Sequence, residues 1–363
     1  MKVAIVHYWL VRMRGGEQVL EALCELFPQA DIYTHVFDPE AVSETIRRHP
    51  VRTSFIQKLP GARRWYQKYL PLMPLALEQL DLRGYDLVIS SESGPAKGVI
   101  APPEATHICY CHTPMRYLWD MAHEYWDGAG FLTRLASPML THYLRIWDHA
   151  SAARVDRFVA GSRFVAARIR KYYRREAAVI PPPVDTEAFG PAEQRDDFYL
   201  MVGQLVGYKR TDLAIEAFQR LDRRLVIIGD GTERLRAMTG PNVTLMGYQP
   251  SEVLRDHYAR CRALIFPGKE DFGIVPVEAM AAGKPVIAYG RGGIRDSVVE
   301  GRTGVFFDRQ TTDALVEAIL RFESVEPHFV TEEILRHARQ FDRKVFKERM
   351  ERFIQESLCK AGQ

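Results

Sequence analysis

Glu270 and Glu278 have seven residues between them, among them Gly273 and Pro276. Proline suits the first turn of a helix, so a helix is expected to start near Gly273. The amides of Gly273, Ile274 and Val275 then face outward at the positive end of the helix dipole, where an anion such as a diphosphate can dock. One glutamate precedes that helix and the other lies within about its first turn. Carboxylates so placed can accept hydrogen bonds from the hydroxyls of a sugar and a ribose. Acids also gather at helix starts for dipole reasons alone.

Other residues offer complementary chemistry. Lys209 and Arg210, at the end of Gly203-Gln204-Leu205-Val206-Gly207-Tyr208-Lys209-Arg210, supply cations that can neutralise a leaving phosphate, although a solvated surface lysine reads the same way. Gly15-Gly16 lacks Cβ atoms, which lets backbone amides approach phosphate oxygens. Its loop does not have the G-x-G-x-x-G spacing of a nicotinamide-binding unit. His112 closes a short apolar run and can reach a ligand from a strand end. His107, Cys109, Cys111 and His112 crowd together like metal ligands, but period-two alternation puts the first three on one face and His112 on the other. No second cluster has zinc-like spacing and no Asp-x-Asp triplet occurs, so metal-independent chemistry with no cofactor is expected.

These residues need strands to carry them. Val3-Ala4-Ile5-Val6 reads as a buried strand, followed by the glycine pair and a helix over Glu17–Leu26. Leu87–Ile89 and His107–Tyr110 read as further buried strands of a parallel sheet, and Trp147–Tyr173 as helical. Pro181-Pro182-Pro183 cannot be helical and suggests a connection. After it the pattern restarts: strand Phe198–Val202, helix Thr211–Arg220, then strands Leu225–Ile228, Val243–Met246, Ala263–Phe266 and Val286–Tyr289 alternating with helices. A helical stripe over Arg343–Leu358 must pack on something. The expected division is 1–180, a linker over 181–197, a second domain over 198–342, and a terminal helix over 343–363.

The whole chain sets the limits. Its 363 residues suit two cores better than one, and 47% hydrophobic with 26% charged residues matches a soluble globular enzyme. Its 49 basic and 46 acidic residues leave +3, so no global field points to nucleic acid. Five cysteines, an odd number, fit a reducing compartment such as the cytoplasm. No apolar stretch reaches the ~20 residues that span a bilayer.

The stretch from Glu270 to Ala281 resembles the retaining glycosyltransferases of family 4. That resemblance implies an α/β chain of GT-B fold, two Rossmann-like doubly wound domains facing across a cleft. It implies Glu270 on the donor sugar, Glu278 on the nucleotide ribose, Lys209 as the phosphate-binding lysine, and Gly15-Gly16 beside the diphosphate. His112, in Tyr110-Cys111-His112-Thr113-Pro114, looks like the family's His-x-Pro element and is expected to reach the donor sugar. Gly229-Asp230-Gly231 and Gly247-Tyr248 resemble second-domain turns, where the base is expected. Gln204 stands where the family often has arginine, which leaves Arg210 as the candidate second cation. The His112 and Lys209 regions look most like mannosyltransferases of bacterial polysaccharide assembly, which implies a GDP-mannose donor and a saccharide or lipid-linked acceptor.

Lys58–Lys68, with Arg63, Arg64, Trp65 and Tyr66, is a basic and aromatic stretch suited to peripheral contact with an anionic membrane; a second basic stretch runs over Arg163–Arg175. A UDP-sugar donor, a nucleotide-sugar epimerase and a non-catalytic binder of anionic surfaces are the alternative readings.

Overall fold

The computed structural model describes residues 1–120 and 131–361, so of the terminal segment 343–363 the last two residues lie outside the described ones. The chain forms two compact units, residues 1–183 with 346–363, and residues 184–345.

The first unit holds a seven-stranded sheet in the order β3-β2-β1-β4-β5-β6-β7. Its strands are β1 (Val3–His7), β2 (Asp31–Thr34), β3 (Val51–Thr53), β4 (Leu87–Glu92), β5 (Thr106–Cys111), β6 (Arg157–Ala160) and β7 (Ala177–Val179). All neighbours pair in parallel. Every residue of β1, β4 and β5 is buried, which is why Val3–Val6 and Leu87–Ile89 read as apolar runs rather than as alternating patterns. The order reverses between β1 and β4, where register pairs His7 with Ser91.

One face of this sheet is covered by the helix Gly15–Leu26 and by Phe346, Met350, Phe353 and Ile354 of the terminal helix Arg343–Ala361. The apolar stripe of that helix therefore joins the core of the first unit. Each of these side chains contributes about 1.5–3 kcal/mol by leaving water.

The second unit holds a six-stranded parallel sheet, order β10-β9-β8-β11-β12-β13. These are β8 (Tyr199–Val202), β9 (Leu225–Ile228), β10 (Val243–Gly247), β11 (Leu264–Phe266), β12 (Val286–Tyr289) and β13 (Gly304–Phe307). Separate apolar cores cover its two faces, as in a doubly wound domain. This order is that of a Rossmann sheet, with its reversal between β8 and β11.

Two expectations change. Trp147–Tyr173 is not all helical: one helix ends at Ser151, β6 intervenes, and a second helix runs Arg163–Tyr173. Four residues are too few to show a strand period between two helices. The passage between units falls at Pro183/Val184. Residues 184–197 pack with the second unit, where Val184 enters the core and donates its amide to Phe341 O at 3.0 Å, so the stretch is no free linker.

Candidate active site

In open α/β sheets ligands bind beyond the carboxyl ends of the strands at the order reversal. In the second unit the loops after β8 and β11 flank that point, and they carry Lys209 and Glu270. Lys209 ends a short 3-10 turn, Gly207–Lys209, and its Nζ lies 3.3 Å from Glu270 Oε1, with both side chains 17% exposed. Glycines make this approach possible. A Cβ on Gly203 would meet Lys209 Nζ at 2.9 Å, and one on Gly268 would meet the Lys209 Cα at 2.9 Å. Behind them a Cβ on Gly229 would strike the Gly203 carbonyl oxygen at 1.8 Å.

Glu270 is held through its backbone. The Gly293 amide donates to Glu270 O at 2.9 Å, and Glu270 bridges Gly292 in parallel. Added Cβ atoms on Gly292 and Gly293 would meet the carbonyl oxygens of Glu270 and Asp271 at 2.4 and 1.9 Å. Only glycines permit this docking of two loops, and Gly292-Gly293, separated from the end of β12 by two residues, escaped sequence reasoning.

Gly273 caps the helix Ile274–Ala281 with φ 94°, a left-handed conformation that favours glycine. The amides of Ile274 and Val275 belong to its first turn and have no carbonyl within the helix to bond. Glu278 is therefore the fifth helical residue, in the second turn rather than the first. Its Oε2 accepts from the Tyr258 hydroxyl at 2.8 Å. Burial pushes its carboxyl above the usual range, opposed by that hydrogen bond and by the Lys209 ammonium. Tyr258, from the helix Ser251–Arg260, is a site residue that its sequence context did not reveal.

Other expected residues are placed differently. The Arg210 guanidinium is held by Asp212, at 3.0–3.2 Å, and by the Gln310 carbonyl at 3.4 Å. Gln204 is exposed. Gly247 ends β10 and its carbonyl accepts from the Gly229 amide at 2.8 Å; Tyr248 beside it is 77% exposed.

In the first unit Gly15 and Gly16 are the first two residues of a helix capped by Arg14, so the helix starts two residues earlier than expected. A Cβ on Gly16 would meet the Tyr8 hydroxyl at 2.3 Å and His112 Nε2 at 3.5 Å. The glycine therefore brings the helix start against His112, which follows β5. His112 Nε2 lies 2.9 Å from Ser91 Oγ, Ser91 Oγ lies 3.1 Å from His7 Nδ1, and His7 Nε2 lies 3.4 Å from Glu17 Oε1. Glu17 Oε2 accepts the Arg14 amide at 2.9 Å. Burial, and then the neighbouring His7, hold the His112 imidazole down to about 3, so it is neutral at ordinary pH.

Strand alternation parts His112, which lies on Ser91 Oγ, from His107, Cys109 and Cys111 on the other face of β5. Cys109 and Cys111 pack into an apolar core, while His107 faces Ser90 Oγ at 2.9 Å. Among the described residues no group of three or more His, Cys, Asp or Glu is placed to hold a metal ion. Of the second basic stretch, Arg168 is buried on Thr113, the Pro114 carbonyl and Asp120, and Arg175 donates to the carbonyls of Ala152 and Asp156. Those two cations serve the fold.

Two Rossmann-like units, with glycine-lined loops and charged groups at the strand-order reversals, define the GT-B class. Residues 13–188 match the model of Glycosyltransferase Family 4, and residues 185–340 match that of Glycosyl transferases group 1. The chain belongs to the family 4 glycosyltransferases.

Among curated proteins, a GDP-mannose-dependent alpha-(1-6)-phosphatidylinositol monomannoside mannosyltransferase of Mycolicibacterium smegmatis is 31% identical over 192 residues, 44% of this chain and 50% of that one. A D-inositol 3-phosphate glycosyltransferase of Geodermatophilus obscurus is 30% identical over 214 residues, 48% of each chain. The chain thus spans about half the length of the curated relatives it matches. Among solved structures, Anabaena HepE in complex with UDP and glucose has a TM-score of 0.73 at 16% identity, covering 98% of this chain and 99% of that one. Sucrose-phosphate synthase from Thermosynechococcus elongatus has a TM-score of 0.74 at 18% identity, with the same coverage. At these identities the likeness concerns the fold.

Proposed function

We propose that this chain transfers a hexose, mannose from GDP-mannose, to a saccharide or lipid-linked saccharide with retention of anomeric configuration. The observation that carries this reading is the pairing of Lys209 with Glu270 at the strand-order reversal, beside the helix start at Gly273. Lys209 and the first-turn amides stabilise charge that develops on the departing diphosphate, in a setting already organised before reaction. Glu270 orients the hexose and Glu278 holds the ribose hydroxyls. Gly247 and Tyr248 take the base in this reading.

The bond from the anomeric carbon to the phosphate oxygen breaks as the acceptor oxygen attacks the same face. The acceptor proton passes to that phosphate oxygen, and no protein nucleophile or metal takes part. Similarity to a GDP-mannose-dependent enzyme supports the mannosyl donor. A UDP-sugar is the second reading, favoured by the fold shared with a protein solved with UDP and glucose.

Membrane contact belongs to the same reading. Trp65, Leu72 and Leu75 are exposed beside Arg63, Arg64 and Lys68, and the Lys68 Nζ lies 5.1 Å from the Trp65 ring centre. No helix among the described residues is long and apolar enough to cross a membrane. An anionic leaflet attracts each nearby basic residue by about 1 kcal/mol. Vesicle binding is expected to rise with anionic lipid and to fall in Trp65→Ala.

The test is thermal stability with GDP, UDP, ADP and dTDP in EDTA, since a ligand at about 100 times its Kd adds roughly 2.7 kcal/mol. Selective stabilisation by GDP is expected; stabilisation by UDP replaces the donor, and no response to any of the four overturns the reading.

A further inference from the structure

Glu17, His7, Ser91 and His112 form one line of hydrogen-bonding groups at the order reversal of the first sheet, and sheet register sets it. His7 ends β1 and Ser91 sits opposite it on β4. Glu17 reaches back from the helix that follows β1, and His112 follows β5. Glu17, His7 and Ser91 are buried, while His112 is only half-buried. The Nδ1 of His112 has no hydrogen-bond partner among the described residues.

We propose that Glu17, His7 and Ser91 are positioning residues that fix His112 in its Nε2–H tautomer, leaving Nδ1 as a bare acceptor for a hydroxyl of the bound sugar. This rests on the proposed transfer of a hexose and on the donor-sugar contact that the family resemblance implies for His112. The polarity follows from one end of the line. Glu17 also takes the Arg14 amide, so it serves as an acceptor and His7 donates to it from Nε2; in a neutral His7 the lone pair then lies on Nδ1. Ser91 has one proton and gives it to that lone pair. Its oxygen then accepts from His112 Nε2–H. A neutral imidazole with its proton on Nε2 has none on Nδ1. The low proton affinity that burial imposes on His112 keeps it in this neutral, two-faced form. A bare nitrogen selects a donor, and in a sugar the donor is a hydroxyl.

The direction can be reversed by an isosteric change. In Glu17→Gln the Arg14 amide still needs an acceptor, so the amide oxygen takes the Oε2 position and the NH2 group faces His7. His7 Nε2 must then accept, Nδ1 must donate to Ser91, and Ser91 must donate to His112 Nε2. His112 is left with Nδ1–H, a donor where an acceptor stood.

The experiment is nitrogen-15 NMR of the imidazoles in the full-length protein labelled at histidine, at pH 8, with His112 and His7 assigned from His112→Ala and His7→Ala. In the natural protein His112 is expected to be protonated on Nε2 only and His7 likewise. In Glu17→Gln the His112 proton is expected on Nδ1, and kcat is expected to fall about tenfold with an unchanged Kd for the nucleoside diphosphate. Ser91→Ala, which cuts the line, is expected to give a tautomer mixture. Should Glu17→Gln fail to fold, the natural protein and Ser91→Ala still decide the matter. An Nδ1–H His112 or a doubly protonated His7 in the natural protein overturns the proposal, as does a tautomer unmoved by either variant. The spectra need no substrate, so a protein with the expected tautomers and no transfer sinks the functional reading alone, whereas an active protein with the opposite tautomer sinks only this inference.

Discussion

The two sheets reverse their strand order in the same way, yet the two reversal points are built from different materials. In the first unit buried side chains project from the strand ends themselves, His7 on β1 and Ser91 on β4, and hydrogen-bond polarity connects them to His112. In the second unit glycines follow β8 and β9, Gly203 and Gly229, and the charged groups come from loops docked backbone to backbone. Strand register holds the first arrangement, and missing Cβ atoms hold the second. A substitution in the first therefore acts on proton placement with little displacement. One in the second acts by moving a loop.

The sharpest test of this contrast is Glu270→Ala, expected to lower kcat by a hundredfold or more, on the scale of a lost transition-state contact, while leaving the fold intact. A near-normal rate would remove Glu270 from the chemistry. Next is Gly293→Ala, whose methyl would press on the Asp271 carbonyl. Overpacking costs about 1–3 kcal/mol, so a lower Tm is expected together with slower turnover, because the Glu270 loop must shift. An alanine variant with unchanged Tm and rate would contradict the backbone docking.

A smaller effect is expected from Tyr258→Phe. The lost hydroxyl both removes a hydrogen bond and lets the Glu278 carboxyl rise further above its usual range. Nucleotide affinity is expected to weaken about fivefold, roughly one hydrogen bond. It should also begin to fail at a higher pH than in the natural protein as acid is added, because Glu278 protonates earlier. Titration calorimetry across pH checks both.

The gentlest effect is on stability. Burial lowers the imidazoles of His35 and His107 to about 4 and that of His112 to about 3, from 6.5. The unfolded chain then binds protons that the folded chain refuses, so the stabilisation is complete above pH 6.5 and is lost as pH falls toward those values. Tm is expected to drop across that window, and less steeply in His107→Gln.

The second site was largely legible because Lys209 and the Glu270–Glu278 stretch are each contiguous in the chain, and spacing alone puts a helix start between the glutamates. Buried parallel strands also read well, since β1, β4, β9 and β12 each open on at least three consecutive apolar residues. The first site was legible only at Gly15-Gly16 and His112. Its line joins residues 84 positions apart, His7 and Ser91, and only sheet register brings them together. Tyr258 and Gly292-Gly293 were hidden for the same reason, as their partners lie on other loops. The four-residue β6 was lost between two helices, and the direction of Arg210 depended on a local partner, Asp212, that spacing does not choose.

The most direct measurement is calorimetric titration of the natural protein, Lys209→Ala and His112→Ala with GDP, and with GDP-mannose under the same conditions. Loss of GDP affinity in Lys209→Ala alone is expected, with His112→Ala keeping GDP affinity and losing only the increment due to the sugar. GDP binding that survives in Lys209→Ala and disappears in His112→Ala would contradict the division of labour between the two sites.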